Sequence, residues 1–132
     1  MRAIWVQGDS KPKEGEMVVT MYVYNGTLLK QLNCFKEGKW RHFICEDHIE
    51  SIQDRPYWKA IPDEDSEEWH SPEIKPIEWE GDLLVVYEFD HHPGKRMYHL
   101  GYYSIYNGKE SWPWTAFVDV FAAFHISKWM RV

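Results

Sequence analysis

Aliphatic residues occupy every second position from 17 to 23, and this period of two predicts a β-strand with one buried face. Asn25-Gly26 follows, a pair that suits the positive φ angles of a two-residue type I′ turn. The pattern therefore predicts a hairpin with a returning strand at 27–35. Across this turn Val23 lies opposite Leu28, so we expect the aliphatic face of the hairpin to be buried.

In the rest of the first half the sequence predicts short strands, turns and one short helix. A turn is predicted at 36–39 and a strand at 40–44. A short helix is expected from Asp47, where the sequence has the form of a capping box. Pro56 ends that helix, because the residue before a proline avoids helical geometry. A closing strand is predicted at 57–61.

The second half follows the same order. Strands are predicted at 82–89 and 97–106, with a longer hairpin loop at 91–95 between them. Asn107-Gly108 marks the next turn. Apolar residues then follow the spacing i, i+3, i+4, i+7 within 115–124, which is the stripe of an amphipathic helix. The β-branched and aromatic content of that segment also fits a strand.

The two halves share a set of landmarks. Trp5 and Gly15 in the first half correspond to Trp69 and Gly81 in the second, and the two glycines lie 66 positions apart. A repeat indicates architecture more firmly than a local signal does. We expect an α+β fold of two pseudo-symmetric β-β-β-α-β repeats, mainly antiparallel sheet with short helices, packed as one compact unit. The first repeat, an acidic linker and the second repeat are expected at 1–62, 63–68 and 69–132.

The matching landmarks form a longer pattern: Trp5, Pro12, Glu14, Gly15, Gly38, Trp40 and Trp58 in the first half, and Trp69, Pro76, Glu80, Gly81, Trp129 and Met130 in the second. In this order of residues both halves resemble a bacterial and phage family known as domain of unknown function 551. The resemblance covers most of the chain. It implies a phage or mobile-element setting, and it implies no particular chemistry.

Composition narrows the class of protein. The chain has 132 residues, of which 44% are hydrophobic and 17% aromatic, so it is too apolar for a disordered chain. Its net charge of −6 argues against direct nucleic-acid binding, which needs a basic face. The two cysteines are too few for a disulfide scaffold. With no apolar run of about 20 residues and no signal-peptide pattern, we expect a cytoplasmic protein without membrane association.

Two groups of residues could bind a metal ion. Two thiols and two imidazoles suit a tetrahedral zinc site, although the tight Cys-x-x-Cys spacing of a zinc finger is missing. The alternative is a buried thiol with surface histidines, and we expect no bound cofactor. The weak metal candidates are Cys34, His42, Cys45 and His48. His91 and His92 lie with Lys95 in the loop that only the second half has, Arg96 follows that loop directly, and such loops often carry added function.

Aromatic residues are concentrated near the middle of the second half. The candidate binding residues are Tyr102, Tyr103, Tyr106, Trp112 and Trp114. Alternation along a strand sends Tyr102 and Tyr103 to opposite faces, so only part of this group can be core. The exposed rings could anchor a protein partner or stack on a base. A wider core is the alternative. The acidic linker could face a basic partner, or it could be a solvated connection.

No catalytic signature accompanies these residues: the sequence has no nucleophile elbow, no phosphate-binding loop and no zinc-protease motif. The leading hypothesis is a non-enzymatic binding protein that engages a host protein, for example as an inhibitor of a defence or regulatory factor. One alternative is a small-molecule or nucleotide binder, with phosphate held by Lys95, Arg96 and Lys109. Another is a metal-dependent hydrolase that uses the histidines of the second half. The chain could also form a homodimer.

Overall fold

A computed structural model of the chain describes residues 5–7, 9–43, 56–90, 92–113 and 124–132. The chain divides into two compact units, Met1–Asp63 and Glu64–Val132, here called unit 1 and unit 2. The described residues form antiparallel sheet and contain no helix. The helix predicted from Asp47 falls outside them, as does the one predicted within 115–124 except for Phe124, which begins a strand.

Unit 1 contains one four-stranded antiparallel sheet in the order β3-β2-β1-β4. Its strands are β1 (Val18–Tyr24), β2 (Thr27–Lys36), β3 (Lys39–His42) and β4 (Tyr57–Ala60). The central strand β1 pairs with β2 through a tight hairpin and with β4, which comes from a distant part of the sequence.

The predicted hairpin register is confirmed. Val23 pairs with Leu28, and Asn25 and Gly26 have φ values of 51° and 77°, as a type I′ turn requires. The same geometry recurs at Glu37 and Gly38 between β2 and β3, with φ values of 55° and 76°.

The expectation that the aliphatic face would form the core was wrong in part. The main hydrophobic cluster of unit 1 lies on the other face, around Val18, Tyr22 and Trp40. Burying an aromatic ring removes more apolar area from water than burying an aliphatic side chain. The face of the sheet that carries the rings is therefore the one that forms the core. Val19 on the aliphatic face is also buried, but Val23 near the turn is exposed.

Unit 2 contains a three-stranded antiparallel sheet in the order β6-β5-β9 and a separate two-stranded hairpin, β7-β8. The sheet consists of β5 (Leu83–Phe89), β6 (His92–Gly101) and β9 (Phe124–Arg131). The hairpin consists of β7 (Ser104–Tyr106) and β8 (Lys109–Ser111).

The single strand predicted at 97–106 is divided between these two sheets. β6 ends at Gly101, where an added Cβ would lie 3.1 Å from the Cβ of Pro113. A side chain at this position would press on Pro113, which would have to shift by a few tenths of an ångström, and the chain leaves the sheet at that point. The loop predicted at 91–95 is also shorter than expected, since β6 begins at His92.

One face of the three-stranded sheet carries the core of unit 2. Residues of β5 alternate onto that face, and rings from the 103–112 region cover them. The buried cluster consists of Leu83, Val85, Tyr87, Tyr103, Trp112 and Trp129. Within the described part of the chain, no helix has the length and apolar character needed to cross a membrane.

Candidate functional site

Six large apolar side chains are exposed in the described part of unit 2, and five of them, all except Ile74, lie at 77–79 and 102–106. We call these five the aromatic patch: Ile77, Trp79, Tyr102, Ile105 and Tyr106. Tyr106 is 76% exposed and Trp79 is 65% exposed. The rings of Trp79 and Tyr102 contact each other, with centroids 5.6 Å apart. Exposed apolar side chains that lie together are typical of interaction sites.

Hydrogen bonds join the two segments of the patch. The backbone N–H of Trp79 donates to the carbonyl oxygen of Tyr103 at 3.0 Å. The backbone N–H of Ile105 donates to Oε1 of Glu78 at 2.6 Å. These bonds hold the residues around Trp79 beside those around Ile105, so the patch is an ordered surface.

Trp79 has an unusual backbone conformation. Its φ is 59°, within the left-handed region that bulky residues rarely adopt. It lies in a tight turn that closes where the N–H of Glu80 donates to the carbonyl oxygen of Ile77 at 3.3 Å. Glycine is the residue such a position favours. Neither the strained backbone nor the exposure of a large apolar ring stabilises the fold. Trp79 is therefore a candidate functional residue.

Next to the aromatic patch, charged and aromatic side chains form a hydrogen-bonded group. The hydroxyl of Tyr103 donates to Oε2 of Glu110 at 2.6 Å, and the Lys75 ammonium lies 3.1 Å from the same oxygen. Lys75 Nζ also lies 5.6 Å from the ring centroid of Trp112. Burial, and then the Glu110 contact, raise the pKa of Tyr103 to about 12. The hydrogen bond from Tyr103 lowers the pKa of Glu110, and Lys75 adds to this effect.

The β7-β8 hairpin presents the most exposed member of the patch. Tyr106 precedes Asn107 and Gly108, whose φ values of 51° and 75° define a type I′ turn. The side chain of Tyr106 therefore projects from a short hairpin of fixed geometry. A ring held in this way loses little conformational entropy on binding.

Unit 2 also accounts for the whole net negative charge of the protein. Twelve of the 21 acidic residues lie in 64–132, and only six of the 15 basic residues do, so this unit accounts for the net charge of −6. Glu78 and Glu80 flank Trp79 directly. A partner that covers the patch meets apolar rings bordered by carboxylates.

The predicted aromatic group is split between core and surface. Tyr102 and Tyr106 are exposed, whereas Tyr103 and Trp112 belong to the buried core of unit 2, the alternative that the sequence left open. Trp112 packs between Tyr103 and Trp129, with ring centroids 4.8 and 6.4 Å away. Trp114 lies outside the described residues.

Of the basic and histidine-rich group, the structure describes the side chains of Arg96 and Lys109. Arg96, one of the three cations proposed for a phosphate, makes an ion pair with Glu64. Lys109 is exposed. His92 and Lys95 belong to β6, and His91 lies outside the described part of the chain. Nearby, Nδ1 of His125 lies 2.5 Å from Oδ1 of Asp90.

The two described metal candidates of unit 1, Cys34 and His42, do not converge. In the β2-β3 pairing Cys34 lies opposite Arg41 and His42 lies opposite Asn33, so the two candidate side chains point to opposite faces of the sheet. Cys45 and His48 fall outside the described residues. Among the residues that are described, no group of three or more His, Cys, Asp or Glu could hold a metal ion.

The sequence did not identify Ile77, Trp79 and Ile105 as site residues. The sequence contained a weak signal for an exposed apolar surface here: apolar and acidic residues alternate from Ile77 to Glu80, so each apolar side chain has a charged neighbour. The turn at Trp79 depends on a hydrogen bond to Tyr103, and a local pattern does not reveal a contact over that separation.

A comparison of the chain with protein-family models, curated proteins and solved structures gives no match. The aromatic patch is therefore interpreted from its own geometry and charge.

Proposed function

We propose that this chain is a non-enzymatic binding protein that engages a host protein through the aromatic patch. The phage or mobile-element setting rests on the resemblance to domain of unknown function 551. The binding role rests on the patch itself, where tryptophan and tyrosine, the residues most common at interface hot spots, are exposed together.

The observation that carries the proposal is the backbone of Trp79. A left-handed conformation costs a non-glycine residue on the order of 1–3 kcal/mol. Here that cost falls on an exposed tryptophan whose ring contacts Tyr102 rather than the core. Binding of a partner explains why a large apolar ring is held out to solvent at a strained position.

The charge of unit 2 suggests the chemistry of the partner. Carboxylates beside the rings favour a host-protein surface that combines apolar side chains with lysine or arginine. Such a complex would form more slowly as salt concentration rises, because screening weakens the steering between opposite charges. The apolar contacts would be affected much less.

We also infer that the two units are copies of one β-β-β-α-β pattern. Two parallels support this. In each unit the strand after the positive-φ glycine, Gly15 or Gly81, pairs with a hairpin partner and with the closing strand. In each unit an isolated bridge joins the closing tryptophan to the residue after the opening tryptophan: Val6 with Trp58, and His70 with Trp129.

The binding role can be tested by capture from a bacterial lysate followed by mass spectrometry. The wild-type chain, Trp79→Gly and Tyr106→Ala are immobilised and compared. We expect the wild type to retain a host protein that both variants lose. Tyr57→Ala is the matched control, since it removes an exposed ring of unit 1 and should retain the same protein. Equal capture by all four chains would contradict the assignment of the patch.

A further inference from the structure

Lysine and arginine side chains of this chain lie over most of its described tryptophan rings. Lys128 Nζ lies 4.4 Å from the ring centroid of Trp69, and Cζ of Arg131 lies 5.3 Å from that of Trp129. Such contacts are favourable because the face of an aromatic ring carries negative charge density. The tryptophans with a cation over the ring are Trp5, Trp40, Trp69, Trp112 and Trp129. The fold therefore pairs an indole ring with a cation repeatedly.

Trp79 is an exception among the described tryptophans. It is the one that is largely exposed, at 65%, and no lysine or arginine in the described part of the chain lies over its ring. Its ring contacts Tyr102 instead, with an angle of 40° between the two planes. Because the rings are tilted and both side chains are exposed, part of each ring surface is open to solvent.

The surface around these two rings is acidic. Segments 73–82 and 102–111 contain five acidic side chains and two lysines, Lys75 and Lys109. Lys75 is paired with one of the acidic side chains, and Arg131 of β9 is paired with another. Five negative charges therefore stand against three positive ones. A cationic group of a partner is attracted to this surface.

One of these carboxylates, Glu78, is held at the ring pair by a hydrogen bond. Its Oε1 accepts the backbone N–H of Ile105 at 2.6 Å, which joins the segment of Trp79 to the segment of Tyr102. Within the described part of the chain, no lysine, arginine or histidine forms an ion pair with Glu78. Glu78 therefore offers an acceptor to a cation that contacts the rings.

We propose that Trp79 and Tyr102, together with the carboxylate of Glu78, bind an arginine side chain of the host protein. This inference rests on the binding role proposed for the aromatic patch, and it names the group that the patch recognises. Arginine fits better than lysine, because its planar guanidinium stacks on a ring while its N–H groups donate to a carboxylate. The partner then supplies at Trp79 the cation that the chain itself supplies at its other rings.

A titration followed by NMR tests this site with a defined probe. Nα-acetylarginine amide is added to the isotope-labelled wild-type chain, and the indole N–H signal of Trp79 is followed, assigned by its absence in Trp79→Gly. The matched probe is Nα-acetylcitrulline amide, which has nearly the same shape and no charge. We expect a saturable shift of the Trp79 signal, with the arginine probe binding about three- to fivefold more tightly than the citrulline probe. Equal binding of the two probes, or no shift with either, would overturn the proposal.

Variants of the chain assign the binding to the named side chains. Tyr102→Leu keeps an apolar side chain without the ring and should weaken binding of the arginine probe about threefold, whereas Tyr102→Phe should bind it like the wild type. Glu78→Gln should also weaken binding. Its matched control is Glu67→Gln, which makes the same change of charge at an exposed position of the same unit. Unchanged binding by a folded Tyr102→Leu, or equal binding by the two glutamine variants, would contradict the assignment, and thermal melting checks that each variant is folded.

The two proposals for the patch fail in different ways. A host protein that is captured by the wild type, together with equal binding of the arginine and citrulline probes, would overturn the arginine site alone. Selective binding of the arginine probe without any captured protein would instead contradict the role in host binding and leave the cation site at Trp79 in place.

Discussion

The hydroxyl of Tyr103 donates a 2.6 Å hydrogen bond to Glu110, and this bond connects the buried core of unit 2 to the exposed β7-β8 hairpin. Tyr103 packs against Trp112 on one side, and its backbone carbonyl accepts the N–H of Trp79. The same residue therefore supports the aromatic patch through its backbone and fixes the adjacent hairpin through its side chain.

Replacing Tyr103 with phenylalanine should destabilise unit 2 by about 1–3 kcal/mol, because it removes a hydrogen bond to a charged acceptor. Urea unfolding at neutral pH measures the loss. Tyr102→Phe is the matched control: its ring is exposed, and the substitution should change stability by less than about 0.5 kcal/mol. Equal losses in the two variants would contradict a special role for the Tyr103 hydroxyl.

Two shifted pKa values predict a loss of stability at both ends of the pH range: the hydrogen bond lowers the pKa of Glu110, whereas burial, ahead of the hydrogen bond, raises that of Tyr103. The pKa of Glu110 is lowered in the folded state, so its contribution is present above the ordinary value of 4.5 and is lost as pH falls through the lower folded value. The pKa of Tyr103 is raised from 10.0 to about 12, so its contribution is present below pH 10 and is lost as pH rises towards 12.

Denaturation curves measured across pH for the wild type and Tyr103→Phe check both limits. The difference in unfolding free energy between them should be largest from about pH 5 to pH 9 and should shrink outside that window. Burial of Tyr103 by itself makes the difference shrink at high pH, so a difference that does not shrink below about pH 5 would show that the Tyr103–Glu110 bond does not contribute.

Trp79→Gly should separate stability from binding. Glycine adopts a φ of 59° without strain, so this variant should be more stable than Trp79→Ala by about 1 kcal/mol, measured by urea unfolding. Both variants should lose the captured partner, since both remove the ring. If Trp79→Gly were instead the less stable of the two, the left-handed conformation at this position would be contradicted.

The elements set by local chemistry were the ones that the sequence predicted well. Asn25-Gly26 and the alternation before it were sufficient for the turn type and for the pairing of Val23 with Leu28, because both depend on neighbouring residues. The choice of the buried face was not local. It depends on the rings of Tyr22 and Trp40, which meet only after β3 has folded back onto β2.

The candidate site shows the same limit. The density of aromatic residues predicted a binding surface in the region that contains the aromatic patch, and Tyr102 and Tyr106 are exposed there. The burial of Tyr103 and Trp112 follows from packing on the distant strand that carries Trp129. Trp79 was missed because its position depends on a backbone contact with Tyr103, 24 residues further along the chain.

Glu37→Asn should stabilise unit 1 by about 0.5–1 kcal/mol. Glu37 has a φ of 55° in the type I′ turn between β2 and β3, where asparagine is tolerated far better than glutamate. The side chain of Glu37 lies 3.5 Å from Arg41 in an exposed pair, and losing that pair costs little. Thermal unfolding measures the gain. Glu37→Ala is the control and should show no gain, and an equal gain in the two variants would contradict the conformational explanation.

A buried polar pair provides the sharpest test of the core of unit 1. Nδ2 of Asn33 donates to Oγ1 of Thr20 at 2.5 Å, and both side chains are fully buried on the face of the main hydrophobic cluster. Thr20→Val keeps the shape of the side chain but leaves this donor without its acceptor. We expect a loss of about 1–3 kcal/mol in the free energy of unfolding.

The double variant Thr20→Val, Asn33→Leu should recover part of that loss, because it removes the stranded amide along with its acceptor. Oδ1 of Asn33 has no hydrogen-bond partner among the described atoms, so replacing the amide also removes a buried acceptor that is not satisfied there. A double-mutant cycle by urea unfolding measures the coupling between the two positions. Additive losses would show that the two side chains do not interact, and the polar contact would then have no part in holding β1 against β2.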